Sequence, residues 1–178
     1  MDICVFCGSG SGNDPVFTEA ARELGTLMAK AGHGLVYGGA DIGLMGTLAD
    51  AVLAGGGTVT GIIPSFLFDR EIAHRGISEL IVVGSMHERK MRMAEKADAF
   101  VALPGGWGTL DELAEILTWK QLHLISAPVA ILNTNGYYDH LLAAMKEMVA
   151  KGFLPSENLT GVQVSTAPSE LLASLRRG

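Results

Sequence analysis

The stretch AFVALPGGWGTLDELAEILTWKQL, residues 99–122, joins a short apolar run to a glycine-rich turn and then to a helical pattern. The five apolar residues 99–103 are typical of a strand that is buried on both faces, and residues 109–122 predict a helix. A buried strand that runs through glycines directly into a helix is the repeating unit of parallel sheets. The stretch therefore predicts an α/β fold.

The rest of the chain repeats this unit. Further strands are predicted at residues 2–7, 34–38, 58–63, 79–84, 128–132 and 161–165, and further helices near 15–31, 43–55, 86–97, 137–151 and 168–176. Because parallel strands need helical crossovers, we expect a doubly wound, mainly parallel sheet in a Rossmann-like three-layer sandwich. No linker-like stretch divides the 178 residues, so residues 1–178 are expected to form a single domain.

One segment does not follow the alternation. Residues 64–78, PSFLFDREIAHRGIS, are longer than an ordinary connection between a strand and the next element. The segment is either a functional loop or a tolerated surface insertion, and its sequence alone does not distinguish the two.

Composition and charge exclude several classes of protein. A hydrophobic fraction of 48% with 18% charged residues excludes a disordered chain, and no apolar run approaches the roughly 20 residues of a membrane span. Asp2 stands where a secretory signal would carry positive charge, which predicts a cytoplasmic location. The net charge is -6 and the 13 basic residues are dispersed apart from the cluster HERKMR (87–92), so nucleic acid is not an expected partner.

The cysteines and histidines do not form a recognisable redox or metal motif. Cys4 and Cys7 have the spacing of a redox pair, but they belong to the apolar run ICVFC, where residues three apart point to opposite faces of a strand. We therefore expect both to pack in the core. The five histidines are scattered, and we expect neither a metal ion nor a cofactor.

Three glycine-rich loops follow predicted strands. They are GSGSGN (8–13), GGADIGLMG (38–46) and PGGWGT (104–109), and the candidate ligand-binding residues in the first two are Gly8, Ser9 and Gly39. In such folds ligands bind beyond the carboxyl ends of the strands, where these loops converge. The first loop lacks the G-x-G-x-x-G spacing of dinucleotide folds, which argues against an NAD-linked oxidoreductase.

The third loop predicts a site for a monophosphate. Gly105 and Gly106 allow close approach of the backbone, and Gly108 and Thr109 offer amides and a hydroxyl at a helix N-terminus. Asp111 and Glu112 follow in the first turn or just beyond it, where one of them can face a ligand or both can simply cap the helix. A second element, SMHERKMRM (85–93), carries Arg89 and Lys90 about 100° apart on a predicted helix, which suits contacts to different parts of one ligand or a solvated basic face.

Together these motifs resemble one known family. PGGWGTLDE matches the pattern P-G-G-x-G-T-x-x-E, and MHERK matches M-H-x-R-K, of the LONELY GUY family of cytokinin riboside 5′-monophosphate phosphoribohydrolases. YGGADIGLMG, IIPSFL and NTNGYYDHLLAAMKEMVAKGF are similar to segments of that family in the same order. The resemblance extends to about residue 153, with small departures at Gly10 and Ala40.

The resemblance implies an activity and a set of site residues. Family members cleave the N-glycosidic bond of purine riboside 5′-monophosphates, which implies Glu112 and Arg89 as the catalytic residues. The family pattern assigns the remaining contacts to the substrate-binding residues Glu71, Lys90, Gly105, Gly106, Trp107, Gly108, Thr109 and Thr118. Asp111, about 100° from Glu112 around the helix, is expected to cap the helix or face solvent.

Two further expectations follow. Relatives form homodimers with active sites close to the subunit interface, and residues 113–125 carry more apolar side chains than one face of a sheet requires, so we expect a homodimer. The family includes proteins labelled lysine decarboxylases, but Lys90 beside Arg89 is a poor candidate for the Schiff base that such chemistry needs. The alternative in another class is a non-catalytic nucleotide or cofactor carrier on the same fold.

Overall fold

The computed structural model describes residues 1–68 and 73–175 of the chain. In these residues the strands are β1 (Asp2–Phe6), β2 (Gly34–Tyr37), β3 (Val59–Pro64), β4 (Glu79–Val83), β5 (Ala99–Ala102), β6 (Val129–Leu132) and β7 (Val162–Ser165). The α-helices are α1 (Pro15–Lys30), α2 (Gly43–Ala54), α3 (Ser65–Phe68), α4 (Met86–Glu95), α5 (Trp107–Gln121), α6 (Asp139–Ala150), α7 (Ser156–Thr160) and α8 (Pro168–Leu175). A short 3₁₀ turn, Thr134–Gly136, lies between β6 and α6.

All seven strands pair in parallel, in the order β4-β3-β2-β1-β5-β6-β7. The chain moves outward from β1 to β4, crosses back to β5 beside β1, and then moves outward on the other side. The predicted doubly wound parallel sheet is therefore confirmed. Its switch point, where loops leave neighbouring strands in opposite directions, lies between β1 and β5.

The core consists of two layers, one on each face of the sheet. Alternate strand residues such as Ile3 and Val5 pack against α1, α2 and α8, while Cys4 and Phe6 pack against α4, α5 and α6. Because both faces are covered, the strands read as continuous apolar runs, which is why the sequence pattern revealed them. The three-layer sandwich is confirmed.

The two cysteines take the packing role expected of them. Cys4 and Cys7 are buried, both thiols are free, and they belong to the cores on opposite faces of the sheet. Burial raises the pKa of each thiol well above its ordinary value.

Two short helices were not predicted. α3 occupies the start of the long segment after β3, and α7 follows α6. With four and five residues respectively, they are too short to show a helical period, and packing on neighbouring elements stabilises them instead. None of the helices in the described part of the chain is long and apolar enough to span a bilayer.

Candidate active site

Two glycine loops meet at the switch point of the sheet. The amide of Gly8, after β1, donates a hydrogen bond of 3.1 Å to the carbonyl of Pro104, after β5. A Cβ atom on Gly8 would lie 3.3 Å from the Cα of Gly105, so a side chain there would press the two loops apart. The Gly8 amide is committed to Pro104, and Gly8 therefore offers a ligand space rather than a hydrogen bond.

The glycine-rich loop between β2 and α2, residues 38–46, packs against the loop that follows β1. Leu44, near the start of α2, donates its amide to the carbonyl of Gly8 at 3.1 Å. Gly43 has a φ of +60 and lies so close to the backbone of Ser9 that a Cβ atom would collide with it. The close approach holds the Ser9 backbone in place at the edge of the pocket.

Helix α5 opens directly onto this junction. Its N-cap is Gly106, which has no side chain to satisfy the first backbone amides, and its first residue is Trp107. Gly106, Trp107, Gly108 and Thr109 all line one pocket. Amides at a helix N-terminus lack intrahelical partners and carry the positive end of the helix dipole, so this end of α5 can bind an anion.

Arg89 reaches the same pocket from α4. It is only 6% exposed. Its Nε donates to the carbonyl of Ile62 at 3.1 Å, and one terminal nitrogen donates to the carbonyl of Gly38 at 2.9 Å. These carbonyls, on β3 and just after β2, fix the plane of the guanidinium. The other terminal nitrogen donates to the sulfur of Met86 at 3.8 Å, and the N–H groups beyond these three bonds can face a ligand.

Glu112 faces Arg89's pocket from the second turn of α5. It is the sixth residue of the helix and is 8% exposed. The pocket has a volume of about 180 Å³ and is lined by Val5, Cys7, Gly8, Ser9, Gly38, Met45, Arg89, Gly106, Trp107, Gly108, Thr109 and Glu112. One cleft thus contains a buried carboxylate, a buried guanidinium and an open helix N-terminus.

The two charges act together on the floor of the pocket. After burial, the carboxylate of Glu112 is the next cause that raises the pKa of the Cys7 thiol, and the guanidinium of Arg89 opposes it. Both charges are therefore close enough to influence the same buried sulfur. A ligand in this pocket therefore lies near a negative and a positive side chain, both of them buried.

Lys90 does not line this pocket. Its Nζ lies 3.1 Å from the carboxylate of Asp111 and 3.3 Å from that of Glu115. Burial alone would lower the pKa of Lys90, but the hydrogen bonds that its ammonium group donates to these two carboxylates raise it. Lys90 thus ties α4 to α5 in this structure, and Asp111, whose side chain is 58% exposed, faces outward as expected.

Three other predicted site residues lie elsewhere. Gly105 does not line the pocket, and a Cβ atom on it would collide with the side chain of Thr109. Gly39 has a φ of +82 and accepts a hydrogen bond of 2.9 Å from the amide of His74. Thr118 donates its hydroxyl to the carbonyl of Ala114 at 2.7 Å. Glu71 lies outside the described residues.

Four residues of the pocket were not predicted as site residues. Val5, Cys7, Gly38 and Met45 form its floor and one wall. Gly38 could have been found, because it belongs to the glycine-rich loop 38–46, and the structure shows that a Cβ atom there would collide with the guanidinium of Arg89. The apolar residues gave no such signal, because buried strand residues look alike whether or not a pocket lies beside them.

A larger apolar groove lies on the outer side of α5. Its volume is about 830 Å³, and it runs between α5, α6 and α7. Thr118 and Leu124 line it, and Leu124 is 67% exposed. The groove is separate from the pocket that contains Arg89 and Glu112.

The fold and the pocket define a class: a Rossmann-like protein with a helix N-terminus, a buried guanidinium and a buried acid in one pocket at the switch point of its sheet. Comparison with known proteins identifies the family. The chain belongs to the family of cytokinin riboside 5′-monophosphate phosphoribohydrolases, the LONELY GUY family. Residues 45–175 match the family model described as "Possible lysine decarboxylase".

Curated relatives match over most of the chain. The chain is 49% identical to cytokinin riboside 5′-monophosphate phosphoribohydrolase LOG1 of Arabidopsis thaliana over 152 residues, 85% of this chain and 71% of the relative. It is 45% identical to LOG5 of the same plant over 174 residues, 97% of this chain and 76% of the relative.

Solved structures share the fold at lower identity. The molybdenum cofactor binding protein of Rippkaea orientalis superposes with a TM-score of 0.76 at 24% identity, covering 99% of this chain and 95% of that one. The Moco carrier protein of Chlamydomonas reinhardtii has a TM-score of 0.73 at 22% identity, covering 99% and 95%. At these identities the likeness concerns the fold alone.

The lysine decarboxylase description finds no chemical basis at Lys90. A Schiff base with an aldehyde cofactor requires an uncharged amine. The ion pairs with Asp111 and Glu115 favour the charged form of Lys90 instead. The notion of a lysine-based decarboxylase is therefore not supported by the position of this residue.

Proposed function

We propose that this protein hydrolyses the N-glycosidic bond of purine riboside 5′-monophosphates, either cytokinin nucleotides or AMP, to the free base and ribose 5-phosphate. The observation that carries the proposal is that Glu112 and Arg89, on different helices, share one pocket with the open N-terminus of α5. Relatives at 45% and 49% identity carry the name of this activity.

The chemistry requires an acid near the sugar. As the bond between C1′ and the base nitrogen breaks, positive charge builds on the ribose ring and negative charge on the base. The carboxylate of Glu112 stabilises the ring cation and accepts a proton from the attacking water, whose oxygen becomes the new hydroxyl on C1′. The base departs with the bonding electron pair and takes up a proton from solvent, and Glu112 returns the water's proton to solvent, which restores its carboxylate. Arg89, fixed by two carbonyls, orients the carboxylate and the ribose.

The 5′-phosphate belongs at the N-terminus of α5. The amides of Gly108 and Thr109 supply donors that the first turn of α5 already holds in place, and the amide of the N-cap Gly106 supplies a further donor beside them. Comparing AMP with adenosine tests this assignment. We expect kcat/KM for adenosine to be lower by at least about 100-fold, since a charge-assisted hydrogen bond contributes about 1.5–3 kcal/mol. Equal rates on both substrates would refute the phosphate site.

Release of adenine from AMP, followed by chromatography, tests the activity itself, and a parallel assay with isopentenyl-AMP establishes which nucleotide is preferred. A non-catalytic carrier would instead bind the nucleotide stoichiometrically and release no base. Turnover that disappears in Glu112→Gln excludes the carrier.

We propose further that two copies of the chain form the working unit. A pocket of about 180 Å³ is smaller than the roughly 300–1,000 Å³ of typical small-molecule sites, so one chain encloses only part of a nucleotide. The family resemblance implies that Thr118 contacts substrate, yet Thr118 lies on the outer groove of α5 rather than in the pocket of its own chain. A second copy seated on the groove brings Thr118 to its neighbour's pocket.

Mixing inactive variants tests the shared site. Glu112→Gln and Thr118→Arg are each expected to be inactive as homodimers. In a mixed dimer, one of the two pockets receives an intact Glu112 and an intact Thr118. Recovery of about a quarter of the wild-type activity after random reassociation supports the proposal, and no recovery in mixtures shown to exchange subunits contradicts it.

We propose also that the protein is cytoplasmic. The thiols of Cys4 and Cys7 are free and buried, as is common in proteins of reducing compartments. Fractionation of cells that express the protein at native level tests it, and recovery in a secreted fraction would contradict it.

A further inference from the structure

The segment between β6 and α6 contacts the glycine loop of the pocket through two neighbouring tyrosines. The hydroxyl of Tyr137 donates a hydrogen bond of 2.5 Å to the carbonyl of Gly105. The hydroxyl of Tyr138 donates one of 2.6 Å to the carbonyl of Leu103. These bonds join the carboxyl end of β6 to the loop between β5 and α5, across 32 and 35 residues of sequence.

The ring of Tyr137 is held in place independently of its hydroxyl. It packs edge-on against Phe17 of α1, with ring centroids 5.7 Å apart, and against Tyr138 at 4.9 Å. The amide of Tyr138 donates to the side-chain carbonyl of Asn133 at 2.7 Å, which fixes the turn that presents both rings. The hydroxyl of Tyr137 therefore has a defined position relative to the loop.

The bond from Tyr137 sets the direction of the next amide. The peptide between Gly105 and Gly106 is trans, so its C=O and its N–H point in opposite directions from one plane. Holding the Gly105 carbonyl toward Tyr137 therefore turns the Gly106 N–H the other way. Gly106 lines the pocket whereas Gly105 does not, which agrees with this orientation.

The bond from Tyr138 has no such effect. The peptide that follows the Leu103 carbonyl ends at Pro104, whose nitrogen carries no hydrogen. Fixing that carbonyl aims no donor at the pocket. The two tyrosines thus form a natural pair, in which one hydroxyl orients a donor and the other only ties two loops together.

We propose that Tyr137 is a positioning residue, which aims the Gly106 amide at the 5′-phosphate of the nucleotide. The inference rests on the proposed function, because it names the residue that preorganises the phosphate site of that reaction. Without the hydroxyl, glycines on both sides of the peptide leave it free to rotate. Phosphate binding must then order the Gly106 amide, which costs binding free energy, whereas the wild-type protein holds this amide in place before the phosphate binds.

Tyr137→Phe tests the proposal, because phenylalanine keeps the ring contacts and removes only the hydroxyl. We expect the KM for AMP to rise about fivefold to tenfold, with kcat changed by less than about twofold. The inhibition constant of inorganic phosphate should rise by the same factor, and the residual rate on adenosine should not change.

Tyr138→Phe is the matched control. It removes one buried hydrogen bond of the same kind, so it should lower the melting temperature at least as much as Tyr137→Phe while leaving the KM for AMP within about twofold. Equal changes of KM in the two variants, or an unchanged KM in Tyr137→Phe, would mean that Tyr137 has only a structural role and would overturn the proposal.

A separate measurement distinguishes this inference from the proposed function. If the wild-type protein hydrolyses no nucleotide, the proposed function fails, and calorimetric binding of inorganic phosphate still decides the role of Tyr137. Binding that is fivefold to tenfold weaker in Tyr137→Phe than in the wild type supports the positioning role. Equal binding by both proteins overturns it.

Discussion

Replacing Glu112 by glutamine isolates its charge from its shape. Glu112 is 8% exposed, so water screens it poorly. At an effective dielectric constant of about 20, a carboxylate about 4 Å from a positive charge contributes about 4 kcal/mol. If the ribose ring carries most of a unit charge in the transition state, losing this term lowers the rate by close to three powers of ten.

We therefore expect kcat/KM for AMP to fall about a thousandfold in Glu112→Gln. The amide has the size of the carboxylate, so the melting temperature should stay within about 4 °C of the wild type, equivalent to about 1 kcal/mol in a chain of this size. Chromatographic measurement of released adenine gives the rate, and circular dichroism gives the melting curve.

Asp111→Asn is the matched control on the same helix. Asp111 lies at the surface in an ion pair with Lys90, and Glu115 remains to pair with that lysine when Asp111 is neutralised. An exposed ion pair contributes at most about 1 kcal/mol, so we expect less than a threefold loss of activity. An inactive Asp111→Asn beside an active Glu112→Gln would refute the assignment of the catalytic carboxylate.

Three further predictions follow from the site and the core. Arg89→Lys keeps the positive charge, but an ammonium group cannot bond both carbonyls with one planar group. We therefore expect kcat/KM for AMP to fall at least about 100-fold. An unchanged kcat/KM would show that the two hydrogen bonds of the planar guanidinium do not matter for the reaction. Burial raises the pKa of Cys4 and Cys7 above the ordinary 9.0, so the thiols of the unfolded chain ionise first as pH rises and stability is lost above about pH 9. In urea titrations between about pH 9 and pH 10.5, Cys7→Ala should reduce that loss by up to about 1.4 kcal/mol per pH unit, and identical slopes would contradict the burial argument. Leu124→Asp, in the outer groove, should give a monomer of 18.7 kDa by light scattering with little activity, whereas a fully active monomer would exclude the shared site.

The sequence predicted the sheet well because its strands are buried on both sides. All seven predicted strands are present, with bounds that differ by no more than one residue at either end. α3 and α7 could not be predicted, since helices of four and five residues depend on what they pack against. Sequence periodicity carries no information about such contacts.

The site was predictable only in part. The motifs drew attention to Arg89 and Glu112, and the structure brings both to one pocket, but spacing alone could not choose between Glu112 and Asp111. Lys90 could not be placed from its position beside Arg89, because the outcome depended on the two carboxylates of α5 that face it. Tyr137 gave no signal at all, since its contact with Gly105 exists only once β6 lies beside β5.

The pairing of β1 with β5 also determines when the protein becomes active during its synthesis. Ile3 pairs with Ala99, so the first strand made must wait for a partner that leaves the ribosome almost a hundred residues later. Until then one edge of β1 has unpaired amides and carbonyls, which can pair with another chain. Contacts so distant in sequence also slow folding. A nascent chain that stops before β5 has neither pocket nor covered edge, so a chaperone that shields β1 would act on this protein before β5 is complete.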